Sequence, residues 1–158
     1  MSEIRDALDR AINWQPHLRI YCFLAKWGTE FEPMPRPKGV RLGAKKKCFS
    51  NAARVVQADD NEIASNPFEY AEGLTIGPEG RLFEHAWCVR DGFAIDPTLR
   101  DPMSHGYLGI VVPIQLLRRL QNVNEVYDVL TYQSGQDFMQ RWDQVGGDIE
   151  RLIELYSL

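Results

Sequence analysis

Two stretches decide the fold prediction: KKKCFSNAARVVQ at residues 45–57 and YAEGLTIGPEGRLFEHAWCVRDGFAIDPT at residues 70–98. In the first stretch, apolar residues recur at helical spacing after Cys48, which predicts an amphipathic helix that begins near this cysteine. In the second, a Gly-Pro-Glu-Gly cluster and an Asp-Gly pair separate apolar runs, as in hairpins. We therefore predict three antiparallel strands, over residues 68–76, 82–90 and 93–96.

The flanking regions are predominantly helical in pattern. Ser2 is placed to cap a first helix that ends before Pro16, and Asp148 to cap a last one. Residues 18–27 fit a helix or a strand, and residues 124–132 are equally ambiguous. Further elements are predicted as a strand at 107–112, a helix after Pro113 and a helix at 137–145.

Two segments between these elements are predicted as loops. Residues 28–43 contain three prolines, which favours a surface loop, and residues 59–67 are polar and rich in turn formers. The order of elements predicts an α+β fold in one domain, residues 1–158. We expect N-terminal helices, then the Cys48 helix packed on a small antiparallel sheet, then further helices at the C-terminus.

Composition and charge limit the compartment and the partners that we expect for this protein. The chain has 158 residues, of which 44% are hydrophobic and 25% charged, a globular composition. A net charge of −4 argues against a nucleic-acid partner. The N-terminus lacks a signal-peptide pattern, and no apolar run is long enough to span a membrane. Three cysteines without paired spacing fit a reducing compartment, so we expect a cytoplasmic protein without a membrane partner.

The predicted Asp91-Gly92 turn places three chemically useful side chains on one face of the sheet. Counting outward from the turn, His85, Trp87 and Asp96 project to the same side. His85 and Asp96 are diagonal neighbours, with Cβ atoms roughly 7–8 Å apart, a gap that their side chains can bridge. Asp96 can then fix which imidazole nitrogen faces a reaction partner, and Trp87 can shield the hydrogen bond from water.

Cys48 is the candidate nucleophile for this pair. A thiolate at a helix N-terminus is stabilised by the helix dipole, and the main-chain N–H of Cys48 can serve an oxyanion hole. We predict Cys48 as nucleophile, His85 as base and Asp96 as the residue that orients the base. Cys88 falls on the opposite face of its strand and is expected in the core, and Cys22 is expected to be a small buried hydrophobe.

Simpler explanations exist for each of these residues. His85 can be a satisfied core histidine, and Asp96 can belong to a turn that ends a strand. The lysines before Cys48 can form a solvated basic loop. A zinc site made of Cys48, His85 and Asp96 would need a further ligand, and there is no C-x-x-C motif, so we expect no metal.

The motifs His85-Ala86-Trp87 and Ile95-Asp96-Pro97-Thr98 resemble those of the transglutaminase-like branch of papain-fold cysteine enzymes. The similarity covers residues 45–98. It implies a papain-like fold with a Cys48, His85 and Asp96 triad. The strand that begins at Tyr70 is similar to one that lines the site in that family.

The resemblance also implies a function. The expected activity is thiol chemistry on amide bonds through a thioester, as in a peptidase, a deamidase or a transglutaminase. A protein or peptide would be the substrate, and no cofactor is needed. Substrate-binding roles are predicted for Trp87, Tyr70 and Asn51, with Asn51 as an oxyanion donor.

Two other function classes stay open. One is a catalytically inactive papain-fold module, such as a phage or bacterial accessory or effector protein, which binds a protein partner through residues 28–43. The other is a metal or redox protein without enzymatic activity.

Overall fold

The computed structural model describes residues 2–59, 66–124, 128–131 and 135–157. Within these ranges the fold is α+β, as predicted. The elements in chain order are α1 (Glu3–Trp14), α2 (Arg19–Trp27), β1 (Thr29–Met34), α3 (Cys48–Asp59), β2 (Glu69–Ile76), β3 (Leu82–Arg90), β4 (Phe93–Ile95), a 3-10 turn (Pro102–Ser104), β5 (Gly106–Val112), α4 (Ile114–Asn124), α5 (Gly135–Gln144) and α6 (Ile149–Ser157). No helix in these ranges has both the length and the apolar character needed to cross a bilayer.

The strands form a closed barrel in the order β1-β4-β3-β2-β5, with β1 paired to both β4 and β5. Four of the pairings are antiparallel, and the one between β1 and β4 is parallel. The expected small antiparallel sheet is therefore wrong in two respects, since the sheet is closed and it is mixed. The reason is β1, which pairs with both outer strands of the four-stranded sheet β4-β3-β2-β5.

β1 lies inside the stretch predicted as a loop. Its prolines favour a loop, yet Phe31 pairs with Tyr107, and Pro33 pairs with Ala94 at the parallel end. Only Phe31 of this strand is buried, so apolar alternation is too weak to mark the strand. The strand forms because the barrel supplies partners on both of its sides.

Strand alternation divides the buried residues into two clusters. The outer face of the barrel packs against the helices, and Cys88 lies there with its Sγ donating to the carbonyl of Ala52 at 3.6 Å. The inner cluster fills the barrel with Phe31, Ala71, Trp87, Val89, Ala94 and Tyr107. Cys88 and Trp87 therefore face opposite sides, as predicted.

Several local predictions are confirmed. The Ser2 hydroxyl accepts a hydrogen bond from the Arg5 amide at 3.4 Å, and Asp148 Oδ1 accepts one from the Arg151 amide at 3.1 Å. Residues 18–27 resolve to a helix. The Asp91-Gly92 turn has positive φ at both positions, 54° and 79°, as a tight two-residue hairpin requires.

One cysteine prediction is wrong. Cys22 is exposed on α2, because its position falls on the solvent side of the helix, away from the buried Phe23 and Leu24. The predicted polar stretch at 59–67 lies largely outside the described residues, and so does part of the ambiguous stretch at 124–132.

Candidate active site

The His85–Asp96 pair lies just beyond the end of β4, where β3 loses its partner strand on that side. β4 ends at Ile95, opposite Cys88, so the earlier part of β3 has no partner on β4. Asp96 follows immediately, and its Oδ2 lies 2.7 Å from Nε2 of His85. The Trp87 ring stacks beside His85 at 6.3 Å between centroids. The predicted common face of these three side chains is therefore present.

Four hydrogen bonds hold the Asp96 carboxylate. Its Oδ2 also accepts from the Tyr107 hydroxyl at 2.8 Å. Its Oδ1 accepts from the amides of Thr98 at 2.8 Å and Leu99 at 3.0 Å. Burial alone would raise the pKa of Asp96, but the His85 bond and charge and the two amides lower it below the usual value. Asp96 is therefore an ionised acceptor inside the protein.

His85 has two polar neighbours, Asp96 at hydrogen-bond distance and Cys48 near enough to affect its pKa. Burial opposes its protonation, but hydrogen bonds and charge interactions with Asp96 and Cys48 outweigh burial and raise the pKa of His85 to about 9. Because Asp96 occupies Nε2, Nδ1 is the nitrogen left for the Cys48 thiol. The structure thus pairs His85 with Asp96 and places Cys48 near the ring, and the catalytic roles of the three residues stay a prediction.

Cys48 opens helix α3. The first main-chain bond of this helix runs from the Asn51 amide to the Lys47 carbonyl at 2.8 Å. The N–H groups of residues 48–50 therefore precede the helical ladder and carry the positive end of the helix dipole. Cys48 is 8% exposed, whereas His85 is 2% and Asp96 0% exposed. The triad lies beneath the surface.

Asn51 holds the segment that leads into α3. Its Nδ2 donates to the carbonyl of Ala44 at 2.9 Å and to Oγ1 of Thr98 at 3.0 Å. The Gly43 amide also donates to the Pro97 carbonyl at 2.6 Å. Both protons of the Asn51 amide are engaged, so in this structure Asn51 joins the nucleophile helix to the Asp96 segment. Its predicted role as an oxyanion donor stays a prediction.

Tyr70 and Trp87 have no exposed surface. Trp87 fills the barrel, where its ring meets Tyr107 at 5.1 Å between centroids. Tyr70 faces the helices and donates its hydroxyl to Oε2 of Glu72 at 2.8 Å. Both residues neighbour the triad through packing, and their direct contact with a substrate stays a prediction.

Glu72 is a buried carboxylate that the sequence did not single out. It is fully buried and accepts from the Val129 amide, at 3.0 and 2.8 Å, and from the Leu130 amide at 2.6 Å. Burial raises the pKa of Glu72 to about 7, although the amides of Leu130 and Val129 and the Tyr70 hydroxyl lower it. The alternation of β2 places Glu72 on the outer face of the barrel, with Ala86 and Ile110, but does not predict its partners.

Tyr107 and Arg36 also act on Asp96 and were not predicted. Arg36 Nη1 donates to the carbonyl of Asp96 at 3.3 Å and to that of Leu99 at 2.7 Å. Both residues reach the site only because β1 and β5 close the barrel, so no local sequence pattern marks them.

Within the described ranges, no group of three or more His, Cys, Asp or Glu side chains is arranged to hold a metal ion. Comparisons of the chain with protein-family models, with curated proteins and with solved structures found no match, so the function is inferred from the geometry of this site.

Proposed function

We propose that the chain is a cysteine-dependent hydrolase or acyltransferase that acts on amide bonds, built on a papain-like version of the α+β fold. The observation that supports this most directly is the double engagement of His85. Its Nε2 lies 2.7 Å from Asp96, and the Cys48 thiol at the start of α3 is near enough to help raise the pKa of the ring. A satisfied core histidine needs no such nucleophile at a helix N-terminus.

The first half of the reaction forms a thioester. A protonated imidazole beside a thiol favours the ion pair of thiolate and imidazolium, as does the N-terminus of α3. The Cys48 thiolate attacks the carbonyl carbon of the amide. The C–N bond then breaks, and the Nδ1 proton of His85 passes to the leaving amine. Asp96 remains ionised and holds the ring.

The second half releases the acyl group. His85, now neutral, takes a proton from water or from an amine, which attacks the thioester carbonyl and frees the Cys48 sulfur. Water gives hydrolysis or deamidation, and an amine gives transamidation. The main-chain N–H of Cys48, which has no acceptor within the described chain, is the candidate donor to the oxyanion.

The test is alkylation by iodoacetamide followed by intact mass, across pH. The exposed Cys22 would also be alkylated, so the protein carries Cys22→Ser. We expect fast modification of Cys48 near neutral pH, lost in Cys48→Ala and strongly slowed in His85→Ala. Labelling that titrates like an ordinary thiol, near pH 8.5, about the unperturbed value, and that ignores His85→Ala would contradict the proposal.

A second candidate is a binding module that keeps the fold without catalysis. The observation that favours it is burial, because Cys48 is 8% and His85 2% exposed. This function predicts that Cys48 is modified in urea but not in the folded protein, even over long incubation. The same mass measurement therefore separates the two candidates.

A further inference from the structure

Positive charge is concentrated in one segment of an acidic chain. Residues 33–58 hold seven of the 18 Lys and Arg residues and none of the 22 Asp and Glu residues. The segment runs from the end of β1 to the last turn of α3, so it includes the start of the nucleophile helix. A charge distribution this uneven creates a local field opposite in sign to that of the whole molecule.

Part of this segment forms a cleft of about 530 Å³. One wall is the loop at residues 37–43, and the other is the outer side of α3. We call it the basic cleft, because among the residues that the structure describes four cationic side chains and no carboxylate line it: Lys38, Arg41, Arg54 and Arg90. Its apolar lining includes Val40, Val55 and Phe68.

The cations at the rim are available to a ligand. Lys38, Arg41 and Arg54 are exposed, and none of them forms an ion pair with any residue that the structure describes. Arg90 is different, since its guanidinium lies over the Phe68 ring at 3.4 Å from the centroid and forms part of the floor.

The basic cleft adjoins the triad. Asn51, one helical turn from Cys48, lines it, and so does Pro97, which follows Asp96. Gly43 lines it as well and bonds to Pro97 at 2.6 Å. A ligand seated in the cleft would therefore lie against the same residues that fix the positions of the nucleophile and of the aspartate.

From this juxtaposition we propose that the basic cleft binds an acidic segment of the protein substrate, with carboxylates at the rim cations and apolar side chains on the floor. That the bound segment belongs to a substrate rests on the function proposed above, whereas the binding of an acidic segment does not. An acidic polypeptide fits better than a nucleic acid, because the apolar floor suits side chains of a peptide. The net charge of −4 also opposes a long polyanion beyond the cleft.

The experiment measures binding with the Cys48→Ala protein, in which no turnover occurs. The probes are fluorescein-labelled dodecapeptides of repeated Glu-Glu-Leu and of repeated Gln-Gln-Leu, and a labelled thymidine dodecanucleotide. Fluorescence anisotropy is recorded at about 0.1 M and about 1 M salt, where the screening length falls from roughly 10 Å to 3 Å.

We expect the acidic peptide to bind in a salt-sensitive manner and the Gln peptide to bind at least about tenfold more weakly. The double variant Arg41→Gln/Arg54→Gln should weaken the acidic peptide about tenfold or more, which corresponds to about 1.4 kcal/mol. The matched control Arg10→Gln/Arg151→Gln removes the same charge from exposed sites on α1 and α6, and should change the affinity by less than about twofold.

Equal losses in the two double variants would overturn the proposal, because binding would then follow net charge and not the cleft. Tighter binding of the oligonucleotide than of the acidic peptide would also overturn it. The binding assay and the alkylation assay can fail independently of each other. A protein that binds the peptide but whose Cys48 stays inert refutes the thiol chemistry alone, and one with a reactive Cys48 but no peptide binding refutes the cleft alone.

Discussion

A buried imidazole that keeps its proton at neutral pH requires compensation, because burial disfavours the charged form. At His85 the compensation comes from the Asp96 carboxylate and from the neighbouring Cys48 thiol, and together they raise the pKa to about 9. In its folded state the residue therefore binds its proton more tightly than an unfolded histidine, whose pKa is about 6.5. Stability from this site is present below that pH and is lost as pH rises through about 9.

Asp96→Asn removes the charge that supports the imidazolium. Burial then dominates, so we expect the pKa of His85 to fall below about 6.5, and the loss of stability between about pH 6.5 and 9 to disappear. Alkylation of Cys48 at neutral pH should slow by about a hundredfold, the scale of a lost acid–base partner. NMR of the imidazole C–H resonances during a pH titration measures the first effect. An unchanged titration of His85 would show that Asp96 is not its electrostatic partner.

Tyr107→Phe deletes one hydroxyl and keeps the ring that packs on Trp87. A hydrogen bond to a buried charge contributes about 1.5–3 kcal/mol, so unfolding in urea should show a loss of that size. The control is Tyr21→Phe, since the Tyr21 hydroxyl has no hydrogen-bond partner among the residues described, and its loss should change stability by less than about 0.5 kcal/mol. Equal losses would mean that the Tyr107 bond to Asp96 contributes nothing specific.

At the scale of single residues, the sequence predicts those side chains of the site that lie along one hairpin. His85, Trp87 and Asp96 share a face because the Asp91-Gly92 turn fixes the register of β3 and β4. Tyr107 lies on a strand that reaches Asp96 across the barrel, so the hairpin says nothing about it. The helical pattern places Asn51 one turn from Cys48, but its amide donates to Ala44 and Thr98, partners that only the fold supplies.

Among the elements, β2 connects the site to the C-terminal part of the chain. Glu72, on its outer face, accepts hydrogen bonds from the amides of Val129 and Leu130. Both of these residues are buried in the cluster between the outer face of the barrel and the helices. Main-chain N–H groups that lie outside helices and strands need hydrogen-bond acceptors when they are buried. A single carboxylate supplies them here, so residues 128–131 are fixed to the barrel through one side chain.

Glu72→Gln tests this connection through pH. A carboxyl whose folded pKa is about 7 binds its proton more tightly folded than unfolded, where its value is near 4.5. The wild type should therefore lose stability, on the order of 3 kcal/mol from this group, as pH rises from about 4.5 to about 7. The variant should lack that decline, as measured by urea unfolding at several pH values. Glu79→Gln, at an exposed turn, should keep it, and a persistent decline in Glu72→Gln would assign it to another group.

The helix α3 and the strand β1 show where prediction of elements succeeds and fails. α3 has an apolar face at helical spacing, with Ala52, Ala53 and Val56 buried, and the pattern alone locates it. β1 buries only Phe31, and its prolines favour a loop. A strand of that kind depends on its neighbours for stability, and neighbours distant in sequence leave no local signal.

For the whole molecule, closure of the barrel depends on close approach of β2 and β5. Gly73 and Gly109 face each other in this pair, and Trp87 lies against Gly109 inside the barrel. A Cβ on Gly109 would lie 2.7 Å from Cη2 of Trp87 and 2.5 Å from the Glu72 carbonyl oxygen. Gly109 thus leaves the space that the tryptophan occupies, and Gly73 leaves room for the main chain of β5.

Gly109→Ala should therefore strain the barrel. The added methyl meets backbone on one side and a packed ring on the other, and overpacking of this kind costs about 1–3 kcal/mol in unfolding free energy. Gly106→Ala on the same strand is the matched control, because its Cβ would meet side chains and no main-chain atom: Cγ2 of Ile76 at 3.0 Å and Cβ of Ile4 at 3.9 Å. Thermal unfolding followed by circular dichroism compares them. Equal stabilities would mean that the barrel adjusts around Trp87.

The small exposed fraction of Cys48, 8%, has a consequence for the rate at which any reagent reaches it. We expect reaction at so buried a residue to pass through a transient opening of the molecule, and when chemistry is faster than reclosing, the observed rate equals the opening rate. Labelling of Cys48 should then level off as the concentration of reagent increases, whereas labelling of the exposed Cys22 should rise in proportion. The plateau would give the frequency at which the protein admits a molecule to its interior, independently of what that molecule is.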